Sequence, residues 1–275
     1  MSGSTPPADA LPRPAAQAGG GAPRPPAPTL ARTSAVPAAG QATLLLPSPG
    51  AAGTPWGWGA CLAGLAVAFG PELLLYAAAR GANVPTGTAA RVTVASAVLL
   101  AVSSLVVYGW QTFAAWLFSL RLPGNRWSAW GFRRPAVAFF WTIPAALAGV
   151  YLMTLLYGLV VRSKQQEIIG EFPRSAAGIA LFVLVAVVMA PLFEELFFRG
   201  FLFGGLTNSL GWVWGAVVSA AVFGLAHLQL DVFVPLFVLG LALAWVYRRT
   251  GSLWSSIALH ALFNAISVLA WVLTG

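Results

Sequence analysis

The sequence predicts an all-α fold, a polytopic helical membrane protein with about seven to eight transmembrane helices, and three observations predict it. The 275-residue chain is 59% hydrophobic and only 8% charged, with a mean hydropathy of +0.80. A water-soluble domain carries about 25% charged residues, so this chain cannot clothe a water-facing surface. The stretches 92–120, 135–161, 175–193, 200–230 and 250–275 contain no Asp, Glu, Lys or Arg. Each provides close to, or more than, the roughly 20 apolar residues that carry a helix across hydrocarbon. Trp and Arg gather at the ends of these stretches, where indole rings favour the headgroup level and positive charge reports orientation.

Residues 1–54 are dominated by Ala, Pro, Gly, Ser and Thr, with Arg13, Arg24, Arg32 and a single acid, Asp9. Such a segment buries too little apolar surface to offset its chain entropy, so a disordered Pro/Ala-rich tail is expected ahead of a transmembrane domain over 55–275. It also lacks the apolar core of a signal peptide. Seven main spans follow, at about 57–79, 93–120, 136–161, 175–198, 211–229, 232–247 and 252–273, with an eighth if 93–120 or 200–230 breaks in two. Arg121, Arg126, Arg133 and Arg134 crowd the second connection, and Arg248 and Arg249 the sixth. With seven spans, both connections share a side with the Arg-bearing tail, which places the N-terminus in the cytoplasm. The third connection, where Arg162, Lys164 and Arg174 are offset by Glu167 and Glu171, then falls outside. Its segment 163–172 is polar enough to lie on the membrane surface. Trp56, Trp58, Trp127, Trp130, Trp212 and Trp254 are expected as interfacial anchors. The heavy use of Ala, Gly, Pro and Arg points to a bacterial cytoplasmic membrane.

Composition also excludes several functions. The net charge of +8 comes from 15 Lys and Arg residues scattered at segment ends, with no basic helix face, so no nucleic-acid partner is expected. A single cysteine, Cys61, rules out an intramolecular disulfide and any Cys-based zinc cluster. The absence of an internal repeat argues against a transporter built from inverted repeats. Ser219, Ser255 and Ser256 stand at no spacing that pairs them with a base, which argues against a serine nucleophile.

The chemistry gathers near the C-terminus. Both histidines and the one adjacent carboxylate pair lie in apolar sequence, and ionisable groups at membrane depth mark functional sites unless a partner explains them. In Glu194-Glu195-Leu-Phe-Phe-Arg199, Glu195 and Arg199 are four apart and share a helix face, the spacing of an ion pair. Glu194 diverges from Arg199 by about 140° on a helix of 3.6 residues per turn and is left without a sequence-local partner. An apolar setting tunes such a carboxylate toward general-base work near neutral pH. Pro191 removes a helical hydrogen bond just upstream and is expected to kink the span. Phe223 sits one turn before His227, so its ring can pack beside the imidazole. His260 and Asn264 share a face of the last span and can both point N–H donors at a developing oxyanion. Glu72 is an acid inside the first span that pairs with a buried Arg or lines the cavity. Asp231 reads as a turn residue and Asn208 as a loop residue. Each string alone is weak, and a structural ion pair, helix-bridging histidines or axial haem ligands are the rival readings; the three in order on elements that can meet are specific.

Glu194-Glu195-x-x-x-Arg199, Phe223-x-x-x-His227 and His260-x-x-x-Asn264 together resemble the three motifs of the CPBP intramembrane protease family, which includes CAAX endopeptidases and bacterial Abi proteins. The resemblance covers about 175–273 and implies a catalytic core there. It implies that Glu194 and His227 activate water, that His260 and Asn264 form the oxyanion hole, and that Glu195, Arg199 and Phe223 support them. The function expected is an intramembrane endopeptidase hydrolysing a peptide bond of a membrane-associated protein or peptide. The alternative is a non-catalytic membrane immunity or scaffold protein of the same fold, and a proton-relaying transporter is a third reading. Glu194, His227 and His260 also number the three protein ligands of a catalytic zinc, so zinc and a metal-free glutamate mechanism both stand open at this point.

Overall fold

The computed structural model describes Gly3 and residues 54–81, 93–121, 127–161 and 172–274. The expected tail therefore lies outside the described residues except for Gly3 and Thr54, as do Arg126 and the third connection up to residue 171. Thr43–Gly275 forms one compact unit. Its helices are α1 (Trp58–Gly81), α2 (Val94–Phe118), α3 (Phe139–Val160), α4 (Ala176–Val183), α5 (Ala190–Glu195), α6 (Gly204–Leu225), α7 (Phe233–Thr250) and α8 (Leu253–Leu273). Two π-helical stretches, Leu184–Met189 and Leu196–Phe203, join α4, α5 and α6 into a single run. Among the described residues there is no strand, and six helices are long and apolar enough to cross a membrane. The chain is an integral multi-pass membrane protein.

The fourth of those six, Ala176–Leu225, is 50 residues long, about 75 Å if straight, more than twice a hydrocarbon core of about 30 Å. It is not straight. Gly211 has φ 77° and ψ 164°, a state open to a residue without a Cβ. Beyond it the chain folds back on itself. A Cβ on Gly215 would lie 2.9 Å from the Thr207 backbone nitrogen, and Ser219 Oγ donates to the Phe198 carbonyl at 3.1 Å. This single run covers the expected fourth span, 175–198, and most of the expected fifth, 211–229. The stretch 199–210, expected as a connection, is helical, and Asn208 is not a loop residue. Its Nδ2 donates to the Thr54 carbonyl at 3.1 Å. The helix of the second limb ends at Leu225, so His227 stands in the turn after it rather than inside a span reaching 229. Asp231 lies in the turn that leads into α7, as expected.

Two of the expected tryptophan anchors are core residues instead. Trp56 is buried, with Nε1 donating to the Phe201 carbonyl at 2.9 Å. Trp130 is buried, with Nε1 donating to Ser119 Oγ at 3.0 Å. An indole can take either place, because its one N–H is satisfied equally by water at an interface or by a carbonyl inside. Trp58, Trp127, Trp212 and Trp254 are exposed. Phe172, placed with the surface segment by the sequence, is buried against Phe182 at 4.8 Å between ring centroids.

Pro191 shapes the backbone before the glutamates. In the π-helical stretch the Ala190 N–H reaches back five residues to the Val185 carbonyl. In that register the Ala186 carbonyl faces the N–H that Pro191 lacks. Asn264 of α8 replaces it, with Nδ2 donating to the Ala186 carbonyl at 2.7 Å. Asn264→Ala leaves that carbonyl unpaired in apolar surroundings and is expected to cost about 1–3 kcal/mol, read as a lower thermal midpoint in detergent. In a Pro191→Ala background, where an N–H is restored, the same substitution should cost less. Equal losses in both backgrounds would refute this account.

Candidate active site

Three elements meet around the glutamate pair. α5 ends in Glu194 and Glu195, the following π-helical stretch carries Arg199, and α8 packs against both, bringing His260 alongside. Glu195 and Arg199 form the ion pair that their spacing predicts, Nη1 to Oε1 at 2.9 Å, with both side chains fully buried. Arg199 also donates from Nη2 to the Gly240 carbonyl of α7 at 3.1 Å. Its guanidinium lies 4.7 Å from the centroid of the Phe223 ring, a favourable placement of cation over π face.

His260 joins the two glutamates, which spacing did not predict. Its Nδ1 lies 3.0 Å from Glu195 Oε1, and its Nε2 lies 3.9 Å from Glu194 Oε2. An ionised carboxylate only accepts, so Nδ1 carries a hydrogen, and Nε2 is the end turned toward Glu194. Glu195 Oε1 thus receives both a guanidinium and an imidazole N–H. Glu194 takes no contact from Arg199. It accepts a hydrogen bond from Tyr108 Oη of α2 at 3.2 Å, and its side chain is 13% exposed, against 4% for His260 and none for Glu195. Access to the surface therefore narrows from Glu194 inward.

His227 packs edge-on to Phe223, ring centroids 5.2 Å apart, and Phe223 stands edge-on to His260 at 5.7 Å. The Nδ1 of His227 bonds the Phe223 carbonyl at 2.9 Å. That oxygen only accepts, so Nδ1 carries the hydrogen and Nε2 presents a lone pair in the neutral ring. Among the described residues no hydrogen bond or ion pair joins His227 to Glu194. Asn264 turns one N–H of its amide to Ala186 and keeps a second, so only part of its donor capacity is available to an oxyanion.

The three-ligand zinc set is not gathered. Among the described residues no three His, Cys, Asp or Glu side chains form a group that could hold a metal ion. The Phe223 ring packs edge-on to both imidazoles, and Glu195 engages one nitrogen of His260. These residues do not fit a catalytic metal as placed.

Two residues that sequence reasoning passed over adjoin the site. Tyr108 contacts Glu194, and Gln111, three residues on, donates from Nε2 to Glu72 Oε1 at 3.1 Å. Glu72 therefore pairs with a glutamine and not with an arginine. The available signal was two polar side chains at helical spacing in an otherwise apolar span.

The site of this multi-pass helical membrane protein joins a buried carboxylate, a partly exposed one, a guanidinium and an imidazole in one network, and the comparisons place its likeness among membrane proteases. Residues 176–266 match the model of the family described as Type II CAAX prenyl endopeptidase Rce1-like. The membrane-embedded CAAX protease MroQ of Staphylococcus aureus is 29% identical over 143 residues, 46% of this chain and 57% of that protein. The candidate membrane peptidase YdiL of Bacillus subtilis is 28% identical over 91 residues, 33% of this chain and 37% of YdiL. The UPF0177 protein YxdF of Lactococcus lactis is 27% identical over 126 residues, 43% of this chain and 67% of YxdF. The chain thus spans less than two thirds of both YdiL and MroQ. No solved structure matches. The similarity over residues 176–266 supports the CPBP family of membrane proteases, the family that the three motifs resemble.

Proposed function

We propose that the chain is a membrane-embedded endopeptidase that cleaves a membrane-associated protein or peptide, with Glu194 as the general base. One observation carries this reading: of two adjacent carboxylates, Glu195 is buried and bound by Arg199 and His260, whereas Glu194 is partly exposed and, among the described residues, forms no ion pair with an arginine. Glu194 takes a proton from water, and the water oxygen adds to the scissile carbonyl carbon. The carbonyl oxygen becomes an oxyanion, and N–H donors from His260 and Asn264 face it. With Nδ1–H engaged by Glu195, His260 donates from Nε2 as an imidazolium. The C–N bond then breaks as Glu194 passes its proton to the leaving nitrogen. The lone-pair end of His227 holds the attacking water from the other side.

The test is a purified full-length chain in liposomes, incubated with a randomised peptide library and read by mass spectrometry for new termini. Cleavage that persists unchanged after exhaustive chelation is the expected result. Absence of new termini would favour a non-catalytic role for the fold. Cleavage lost on chelation and restored by zinc would replace the glutamate-only route with a metal-assisted one.

A further inference from the structure

We propose that Tyr108 is a positioning residue for the reaction, holding Glu194 in the orientation in which one carboxylate oxygen is anchored and the other is presented to His260 and water. The proposal rests on the reading of Glu194 as the base. Tyr108 lies in α2, outside the stretch that matches the family, so the three motifs carry no trace of it.

The geometry is specific. Tyr108 Oη donates to Glu194 Oε1 at 3.2 Å, while Oε2, the other oxygen, lies 3.9 Å from His260 Nε2. The terminal torsion of a glutamate is broad and roughly two-fold, so an unanchored carboxylate exchanges its two oxygens and smears its direction. Anchoring Oε1 removes that freedom and assigns Oε2 to the reaction. The phenol is itself held still. Its ring stacks on Phe193, the residue just before the base, with centroids 5.6 Å apart and planes inclined by 8°.

Gln111 makes the arrangement selective. It is buried, and three residues beyond Tyr108 it shares that face of α2. A hydroxyl has one proton and can donate to one acceptor at a time. The acid of α1, Glu72, is met instead by Gln111, whose Nε2 donates to its Oε1 at 3.1 Å. One face of α2 thus supplies two donors to two different carboxylates, and each is matched to one.

The experiment uses the full-length chain in liposomes and a fluorogenic peptide built on the bond preferred in the library. Tyr108→Phe removes only the hydroxyl. It is expected to lower kcat about 10- to 100-fold, the scale of a lost hydrogen bond to a charged group, with KM unchanged and the thermal midpoint lowered no further than by Tyr247→Phe. Phe193→Leu, which keeps the hydroxyl but removes the platform under its ring, should lower kcat less and in the same direction. Tyr247→Phe is the control: its buried Oη donates to the Trp130 carbonyl at 3.1 Å, so it should lower the thermal midpoint and leave kcat alone. A Tyr108→Phe enzyme with wild-type kcat, or a Tyr247→Phe enzyme that loses as much kcat for the same fall in thermal midpoint, overturns the proposal. Glu194→Gln run in parallel separates the two readings. If it is inactive while Tyr108→Phe is fully active, only the positioning role fails; if it cleaves at the wild-type rate, the base assignment itself is wrong.

Discussion

Glu194→Gln should lower turnover by about 10²- to 10⁴-fold, the usual contribution of a positioned general base, while leaving the fold in place. The amide has nearly the shape of the carboxylate and still offers an oxygen to Tyr108 Oη, so the contact with α2 survives. What disappears is the capacity to take a proton from water. The neighbouring substitution should behave differently. Glu195→Gln removes the counter-charge of a fully buried guanidinium and weakens the acceptor of the His260 N–H, so it should lower the thermal midpoint as well as activity. The two glutamates are therefore separable by paired measurements of kcat and thermal unfolding in detergent. A stable, inactive Glu195→Gln beside an active Glu194→Gln would mean that the roles are reversed.

The largest effect on stability is expected from Arg199→Met. The substitution keeps much of the aliphatic volume but strands Glu195 as a buried carboxylate whose remaining partner is His260. Breaking a buried pair from one side costs about 3–5 kcal/mol, because the surviving charge is left without compensation. Arg199→Met also takes away the donor to the Gly240 carbonyl and the cation over Phe223. The double variant Glu195→Gln/Arg199→Met should recover a large part of that loss, since neutralising both ends removes the stranded charge. Tryptophan fluorescence during thermal unfolding would give the three midpoints. A double variant as unstable as Arg199→Met alone would locate the cost in packing and not in charge.

Legibility in the sequence followed distance along the chain. The Glu195–Arg199 pair was readable because residues four apart meet by helical geometry alone, and Phe223 and His227 keep that contact although His227 stands in the turn that closes the helix. The link from His260 to Glu195 spans 65 residues, and that from Asn264 to Ala186 spans 78. Neither is encoded in any local spacing. Both arise because α8 packs against α5 and the π-helical stretches, and helix packing is set by the whole apolar surface. The same holds for Trp56 and Trp130, whose position at span ends reads as anchoring, while tertiary contacts decide that they are buried. Gly211 was legible only as one glycine among many, and its φ of 77° becomes meaningful once Gly215 is seen against Thr207.

By itself the sequence determined that this chain is helical, that it enters the membrane several times, and that both histidines and the one adjacent carboxylate pair lie near the C-terminus. Those are consequences of composition and of short-range periodicity. It also separated Glu194 from Glu195, since only one of two adjacent residues can face a partner four positions on. The tertiary structure alone decided how that separation is used. Bringing α2 and α8 against α5 gives Glu194 a phenol on one oxygen and an imidazole beside the other, and it gives Glu195 a second partner. The adjacent glutamates become one buried structural charge and one accessible carboxylate, because the packing of helices distant in sequence decides which atoms they meet.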